Sequence, residues 1–150
     1  MLRATAIVRR PDVKALQVAD RITLDHAERH RRRVVLTADR GLAFLLDLKD
    51  ADVLEEGDAL RLEDGRLVAV RAAPERLVEI TADTPLHLMR IAWHVGNRHV
   101  PCELTETALY IAEDHVLAEM VRGLGGATQV VERPFRPERG AYGHGHAHGH

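Results

Sequence analysis

The sequence predicts an α+β protein in which a small all-β domain precedes a mixed domain with two helices. In the first half, short runs of Val, Ile, Leu and Thr alternate with charged or turn-like stretches, which is typical of strands. In the second half, two apolar stripes recur with the period of an amphipathic helix. Hydrophobic residues make up 45% of the chain but aromatic residues only 3%, so aliphatic side chains must build the core.

The pattern of the first half predicts strands and gives few signals of helices. Asp64-Gly65 provides a turn at the centre of the clearest hairpin, because Asp-Gly suits the positive φ of a two-residue turn. The stretch 72–76 (AAPER) reads as a linker. The predicted strands are RATAIVRR (3–10), RITLDH (21–26), RVVLTAD (33–39), LAFLLDL (42–48) and the two arms of the hairpin over 58–72.

The second half predicts the order β-α-β-β-α-β. Thr84-Pro85 and Asp114 are typical helix starts, and Gly96-Asn97 and Gly125-Gly126 are typical ends. This order is the split βαβ arrangement of ferredoxin-like domains. The predicted buried stripes are Leu88, Ile91, Ala92 and Val95 in the first helix and Leu117, Met120, Val121 and Leu124 in the second; the predicted strands are 76–82, 102–107, 108–113 and 127–133.

The chain is therefore expected to comprise an N-terminal β domain (1–74), a ferredoxin-like domain (75–139) and a disordered His-rich tail (140–150). The formal net charge of −2 gives no basic surface of the kind nucleic acid requires. No run approaches the ~18 apolar residues of a membrane span, and no signal peptide is apparent. The single Cys102 and these absences indicate a cytoplasmic protein.

The tail GHGHAHGH places four of the ten histidines, His144, His146, His148 and His150, at alternate positions. Neutral imidazole suits Ni²⁺, Cu²⁺ and Zn²⁺, and a flexible Gly/Ala backbone lets several nitrogens reach one ion. His-rich tracts indicate metal binding by composition alone. An expression tag is the alternative, although tags usually run their histidines together.

Two further stretches contain candidate ligands. In WHVGNRHVPCEL (93–104), His94 lies in the last turn of the first helix and His99 on the connector that follows. A histidine on a connector is either a ligand or a solvated side chain. In EDHVLAEMVRGLGG (113–126), Glu113, Asp114 and His115 cluster at a helix start, where acidic groups also serve as caps that favour the helix dipole.

Other groups are weaker candidates. His26 and His30 lie among arginines whose charge disfavours a cation, and His87 is expected to be an exposed residue of the first helix. Cys102 has no obvious paired base, and the nucleophile-elbow, P-loop and zinc-protease motifs are absent, so catalysis is not predicted.

The combination of GNRHVP, a DHVL helix start about fifteen residues later, and PFRPERGAYG before the histidines resembles the UreE family of urease accessory proteins, which are nickel metallochaperones. The resemblance covers essentially the whole chain, and residues 94–115 are its most specific part. It implies a homodimer formed through the C-terminal domains, with the GNRH histidine, here His99, binding Ni²⁺ at the dimer interface.

The resemblance also implies roles for other residues. His115 corresponds to a secondary metal ligand of some members, and His94 to a histidine of less certain role. In some members a second histidine stands two positions before the histidine that corresponds to His115. This chain has Glu113 at that position, so Glu113 is a possible substitute ligand. The N-terminal β domain is implied to bind protein partners. An exposed edge strand in that domain could accept a partner segment.

The expected function is capture of Ni²⁺ and its delivery, with the accessory GTPase UreG and through it the apo-urease accessory complex, for assembly of the urease metallocentre. Zn²⁺ or Cu²⁺ could occupy the same ligands. The first alternative is passive storage of nickel or zinc without a delivery partner, and a small metal-dependent enzyme is a more distant one. Residues 75–150 alone are predicted to dimerise and bind nickel but to deliver it poorly.

Overall fold

The computed structural model describes residues 1–139, and these fall into two compact units, Met1–Ala73 together with Arg139, and Pro74–Glu138. Each unit contains its own sheet, and both helices belong to the second unit. The predicted α+β class, with a β unit before a mixed unit, is confirmed. Within residues 1–139, no helix is both long enough and apolar enough to cross a membrane.

The first unit is a six-stranded sheet with the order β2-β6-β5-β1-β4-β3. The central strand β1 pairs in parallel with β4 and antiparallel with β5, and β2 pairs in parallel with β6. Alternate side chains enter an aliphatic core around Phe44 and Leu46, as the period of a strand requires. The strands are β1 (Arg3–Val8), β2 (Val18–Leu24), β3 (Arg33–Thr37), β4 (Ala43–Asp47), β5 (Ala59–Leu62) and β6 (Leu67–Ala72).

The strands of the first unit lie where they are predicted, but several boundaries differ. β1 stops at Val8 because a short 3₁₀ turn with Pro11 in its first turn, Arg10–Asp12, follows it, and β2 begins at Val18, three residues before its predicted start. The hairpin turn is longer than two residues, since β5 ends at Leu62 and β6 begins at Leu67. Gly65 alone takes the positive φ, 91°.

The second unit has the element order β7 (Pro74–Thr81), α1 (Pro85–Gly96), β8 (Cys102–Leu104), β9 (Leu109–Ala112), α2 (His115–Gly123), β10 (Ala127–Pro134). Its four strands are ordered β10-β7-β9-β8, and all neighbours are antiparallel. Both helices bury their apolar stripes on one face of the sheet, where Val78, Ile80, Leu109 and Ile111 complete the core. Ala92, Met120 and Leu124 of the predicted stripes are only partly buried at its edge.

The boundary between the units falls within the predicted linker, 72–76, but only Ala73 lies between β6, which ends at Ala72, and β7, which begins at Pro74. Pro134 closes β10 opposite Pro74, one residue beyond the predicted strand, at an end position where a strand needs no N–H donor. β8 stops at Leu104, since Thr105 forms a tight turn with Ala108 through its backbone and hydroxyl groups.

Candidate metal-binding site

Helix α1 leads the chain to the first candidate ligand. The Thr84 hydroxyl accepts a hydrogen bond from the His87 backbone N–H at 3.1 Å and caps the helix as predicted. Because one face of α1 is buried against the sheet, the opposite face is left exposed. It presents an apolar stripe formed by Leu86, Met89 and Trp93, which are 53%, 66% and 66% exposed.

His99 follows α1 at the end of a tight turn in which its own N–H donates to the Gly96 carbonyl at 3.2 Å. Its side chain is exposed, and its φ of 57° makes it the one non-glycine residue with positive φ among residues 1–139. A side chain in the left-handed region costs about 1–2 kcal/mol relative to ordinary backbone. Such strain persists only where the surrounding structure fixes it, and it is concentrated at functional sites.

His94 lies in the last turn of α1 and is half-buried. Its ring packs edge-to-face on Trp93 with the centroids 5.1 Å apart, so it contacts the apolar stripe. Within residues 1–139 no group of three or more His, Cys, Asp or Glu side chains is placed to hold one ion. Among the described residues, His99 therefore belongs to no such group of ligands.

His115 begins α2 behind the Asp114 cap, whose carboxylate accepts from the Leu117 N–H at 3.0 Å. The imidazole is exposed, and its Nε2 lies 3.3 Å from a carboxylate oxygen of Glu119, one helical turn along. Sequence reasoning missed Glu119, although the i, i+4 spacing from His115 was the available signal. The described structure thus pairs His115 with an exposed carboxylate other than Glu113.

Glu113 is held by a different partner. Both of its carboxylate oxygens accept from the Arg76 guanidinium, each at 3.0 Å. This fork holds the pKa of Glu113 below its ordinary value and raises that of Arg76. An ion at Glu113 would have to compete with the arginine for the carboxylate, although Glu113 and His115 line the same pocket.

Cys102 lies three residues beyond His99 but is a poor ligand. Burial raises the pKa of its thiol to about 11, an effect that the nearby Glu103 and Glu138 carboxylates reinforce. The thiolate is the metal-binding form, and it is scarce at neutral pH when the pKa is that high.

The remaining histidines differ in their surroundings. His87 is not simply exposed, because its Nε2 lies 2.7 Å from the Leu124 carbonyl and ties α1 to the end of α2. The rings of His26 and His30 lie edge-to-face with centroids 6.2 Å apart. The predicted tail ligands His144, His146, His148 and His150 lie outside the described residues.

Comparison with known proteins matches both units to one family. The N-terminal domain of the UreE urease accessory protein matches residues 4–73, and its C-terminal domain matches residues 75–150. A protein of Azorhizobium caulinodans named urease accessory protein UreE is 62% identical over all of this chain and 75% of its own length. A Chelativorans protein of the same name is 45% identical, covering 100% of this chain and 96% of its own.

A third relative with that name, from a Rhodopseudomonas palustris strain, is 56% identical over 85% of this chain but only 60% of its own length. Matches of this extent and identity leave one conclusion. The chain belongs to the UreE family of urease accessory proteins, which take part in urease maturation and are not catalytic enzymes.

Proposed function

We propose that the protein is a nickel metallochaperone that delivers Ni²⁺ for assembly of the urease metallocentre. The observation that supports this best is His99, an exposed imidazole held in strained backbone at the end of α1. Family membership favours a nickel role over other metal chemistry. Release matters as much as capture, because Ni²⁺ stands high in the affinity order and a closed, fully protein-ligated site would retain it.

One imidazole is too few ligands, so the site requires a second chain. A two-fold interface presents the same residue twice. The exposed stripe of Leu86, Met89 and Trp93 is the surface we assign to that interface, because its burial is favourable and it runs along α1 toward His99. Two copies of His99 would then bind one ion and leave coordination positions open for exchange.

The tail and α2 supply weaker ligands in this scheme. His144, His146, His148 and His150 are tethered to the same chain, which gives them a high effective concentration near the site. His115 with Glu119 forms a second, exposed pair on each protomer. His94 contacts Trp93 and serves to position the interface. The same nitrogen ligands would accept Zn²⁺ or Cu²⁺ in vitro.

The two units divide the work in the proposal. The second unit, which we assign to the ferredoxin-like class, dimerises and binds metal. The first unit contacts a protein partner, and delivery passes through the accessory GTPase UreG to the apo-urease complex in the cytoplasm. Residues 75–150 alone should therefore dimerise and bind nickel, and a monomeric or nickel-free fragment would contradict this division.

Nickel titration of three proteins tests the site. Wild type should bind one tight Ni²⁺ per dimer together with weaker ions. His99→Asn, chosen because asparagine tolerates left-handed backbone, should remain dimeric and lose the tight ion. A chain truncated after Tyr142 should bind less nickel in total but keep one ion per dimer. Undiminished tight binding by His99→Asn would show that the interface is not the site.

Delivery is tested separately from binding. Deletion of the protein from a urease-positive host at limiting nickel should lower urease activity, and the wild-type gene should restore it whereas His99→Asn should not. Normal urease activity in the deletion strain would contradict delivery and favour passive storage of the metal as the function.

A further inference from the structure

The four residues that follow β10 run across the face of the four-stranded sheet opposite α1 and α2. We call these residues, 135–138, the strap. Side chains of a strand alternate between the two faces of its sheet, and those of the second unit form one cluster with the helices and another on the opposite face. Phe135 of the strap is buried in that second cluster, whose other buried members are Leu77, Ala108 and Tyr110.

The strap carries the chain from one edge of the sheet to the other. It leaves β10 at one edge, and the Glu138 N–H donates to the Cys102 carbonyl of β8, the opposite edge strand, at 2.8 Å. Three strand spacings of about 4.8 Å separate these edges, roughly the span of four extended residues. Cys102 follows His99 by three residues, so the strap ends beside the connector that contains the candidate ligand.

Glu103 fixes the middle of the strap. This side chain is only 6% exposed, and its carboxylate accepts from the Arg136 N–H at 2.8 Å and from the Arg133 guanidinium at 2.7 Å. The Arg133 guanidinium lies over the Tyr110 ring, 3.9 Å from its centroid. Hydrogen bonds to a buried carboxylate are strong, and the loss of one partner is costly. The contacts of Glu103 therefore keep the strap on β8.

We propose that Glu103 is a positioning residue for the His-rich tail. By keeping the strap on β8, it starts the tail beside the His99 connector, so that tail imidazoles reach an ion bound at His99. The inference rests on the proposed nickel site and names the residue that brings the tail to it.

The length of the tether gives the size of the effect. His144, the first histidine of the tail, lies six residues beyond Glu138 and ten residues beyond Pro134, where the tether would start if the strap came free. The effective concentration of a group on a flexible tether falls as about the −3/2 power of its length, so release lowers it about twofold for each tail. Release also returns the start of the tether to the β10 edge.

A second contact at the base of the tail involves Arg139. Its guanidinium lies 3.3 Å from an Asp52 oxygen and 3.6 Å from a Glu55 oxygen. All three side chains are partly exposed, and ion pairs of that kind contribute little to holding a segment in place. Arg139→Ala should therefore disturb the tail less than Glu103→Gln does.

The first test follows the tail without metal, by energy transfer from Trp93 to a dansyl group attached to Tyr142→Cys in a full-length Cys102→Ser background. Glu103→Gln should lower the transfer efficiency, because the strap is released. Glu106→Gln, the same change at an exposed carboxylate three residues along, should leave it unchanged. Unchanged transfer in Glu103→Gln, or a larger loss in Arg139→Ala, would overturn the proposal.

A second pair of variants keeps the test valid if Glu103→Gln fails to fold. Arg136→Pro removes the N–H that donates to Glu103, whereas Arg136→Ala keeps that donor. The proline variant should lower the transfer efficiency and the alanine variant should not. Equal transfer in the two variants would show that this hydrogen bond does not position the tail.

Nickel titration then separates positioning from a structural role. Glu103→Gln should weaken the tight ion about fourfold in a dimer with two tails, and it should have no effect in the chain truncated after Tyr142. The same loss in both chains would mean that Glu103 acts on the fold and would overturn the proposal. His99→Asn distinguishes the two levels of failure: if it retains the tight ion, the proposed nickel site is wrong. If it loses the ion while Glu103→Gln changes nothing, only the role of Glu103 is wrong.

Discussion

The left-handed backbone of His99 makes a prediction with a definite sign. With φ at 57°, any Cβ at this position meets the following carbonyl at a cost of about 1–2 kcal/mol. Glycine removes that cost but loses about 0.5–1 kcal/mol to its greater freedom in the unfolded chain. His99→Gly should therefore be more stable than His99→Ala by about 0.5–1 kcal/mol.

The matched control is an ordinary helical position. Arg90 is exposed within α1. There the alanine variant should have a free energy of unfolding about 1 kcal/mol higher than the glycine variant, a difference of opposite sign to that at His99. The assay is urea unfolding of the metal-free protein with a chelator present, at one protein concentration because the proposed dimerisation would contribute to apparent stability. The same sign at both positions would refute the left-handed assignment of His99.

Three further predictions follow from buried or half-buried polar groups. Asp58→Ala should lower the free energy of unfolding by about 3 kcal/mol, because Arg9 and two backbone N–H groups lose their buried acceptor. A loss below about 1 kcal/mol in urea unfolding would show that water replaces the carboxylate as acceptor. His87→Ala should cost about 1 kcal/mol by leaving the Leu124 carbonyl without its imidazole partner, and an unchanged urea midpoint would count against that contact. Cys102, with its pKa raised to about 11, should react with iodoacetamide at pH 8 far more slowly in the folded protein than in urea. Equal rates measured by mass spectrometry would contradict its burial. Raising the pH toward 11 should speed the reaction of the folded protein, because more thiolate forms.

The sequence predicts features that depend on neighbouring residues better than features that depend on distant ones. The caps Thr84 and Asp114 and the left-handed Gly65 are found as predicted, because each acts on backbone within three residues of itself. The Arg76–Glu113 fork joins residues 37 apart, and no local pattern indicates it. His87 reaches Leu124 across the same separation.

The candidate site shows the same limit. Residue types and spacing only make His99 and His115 candidates, and the resemblance to the UreE family is what favours them as ligands. Whether Glu113 or Glu119 accompanies His115 depends on side-chain rotamers and on Arg76, neither of which is encoded in a short motif. The left-handed backbone of His99 is equally hard to predict, because histidine, although enriched at positive φ among non-glycine residues, adopts it at only a small fraction of its positions.

The position of Trp93 determines what optical spectroscopy will report. It is the chain's one tryptophan, and the two tyrosines, Tyr110 and Tyr142, also come after residue 73. Residues 1–73 contain neither residue type, so tryptophan emission and tyrosine absorbance do not report directly on the sheet that they form. Because Trp93 lies on the outer face of α1, its fluorescence should respond to covering of that face before it responds to loss of the core. A single smooth fluorescence transition would therefore be no evidence that the whole chain unfolds in one step, and circular dichroism or hydrogen exchange must follow the first unit.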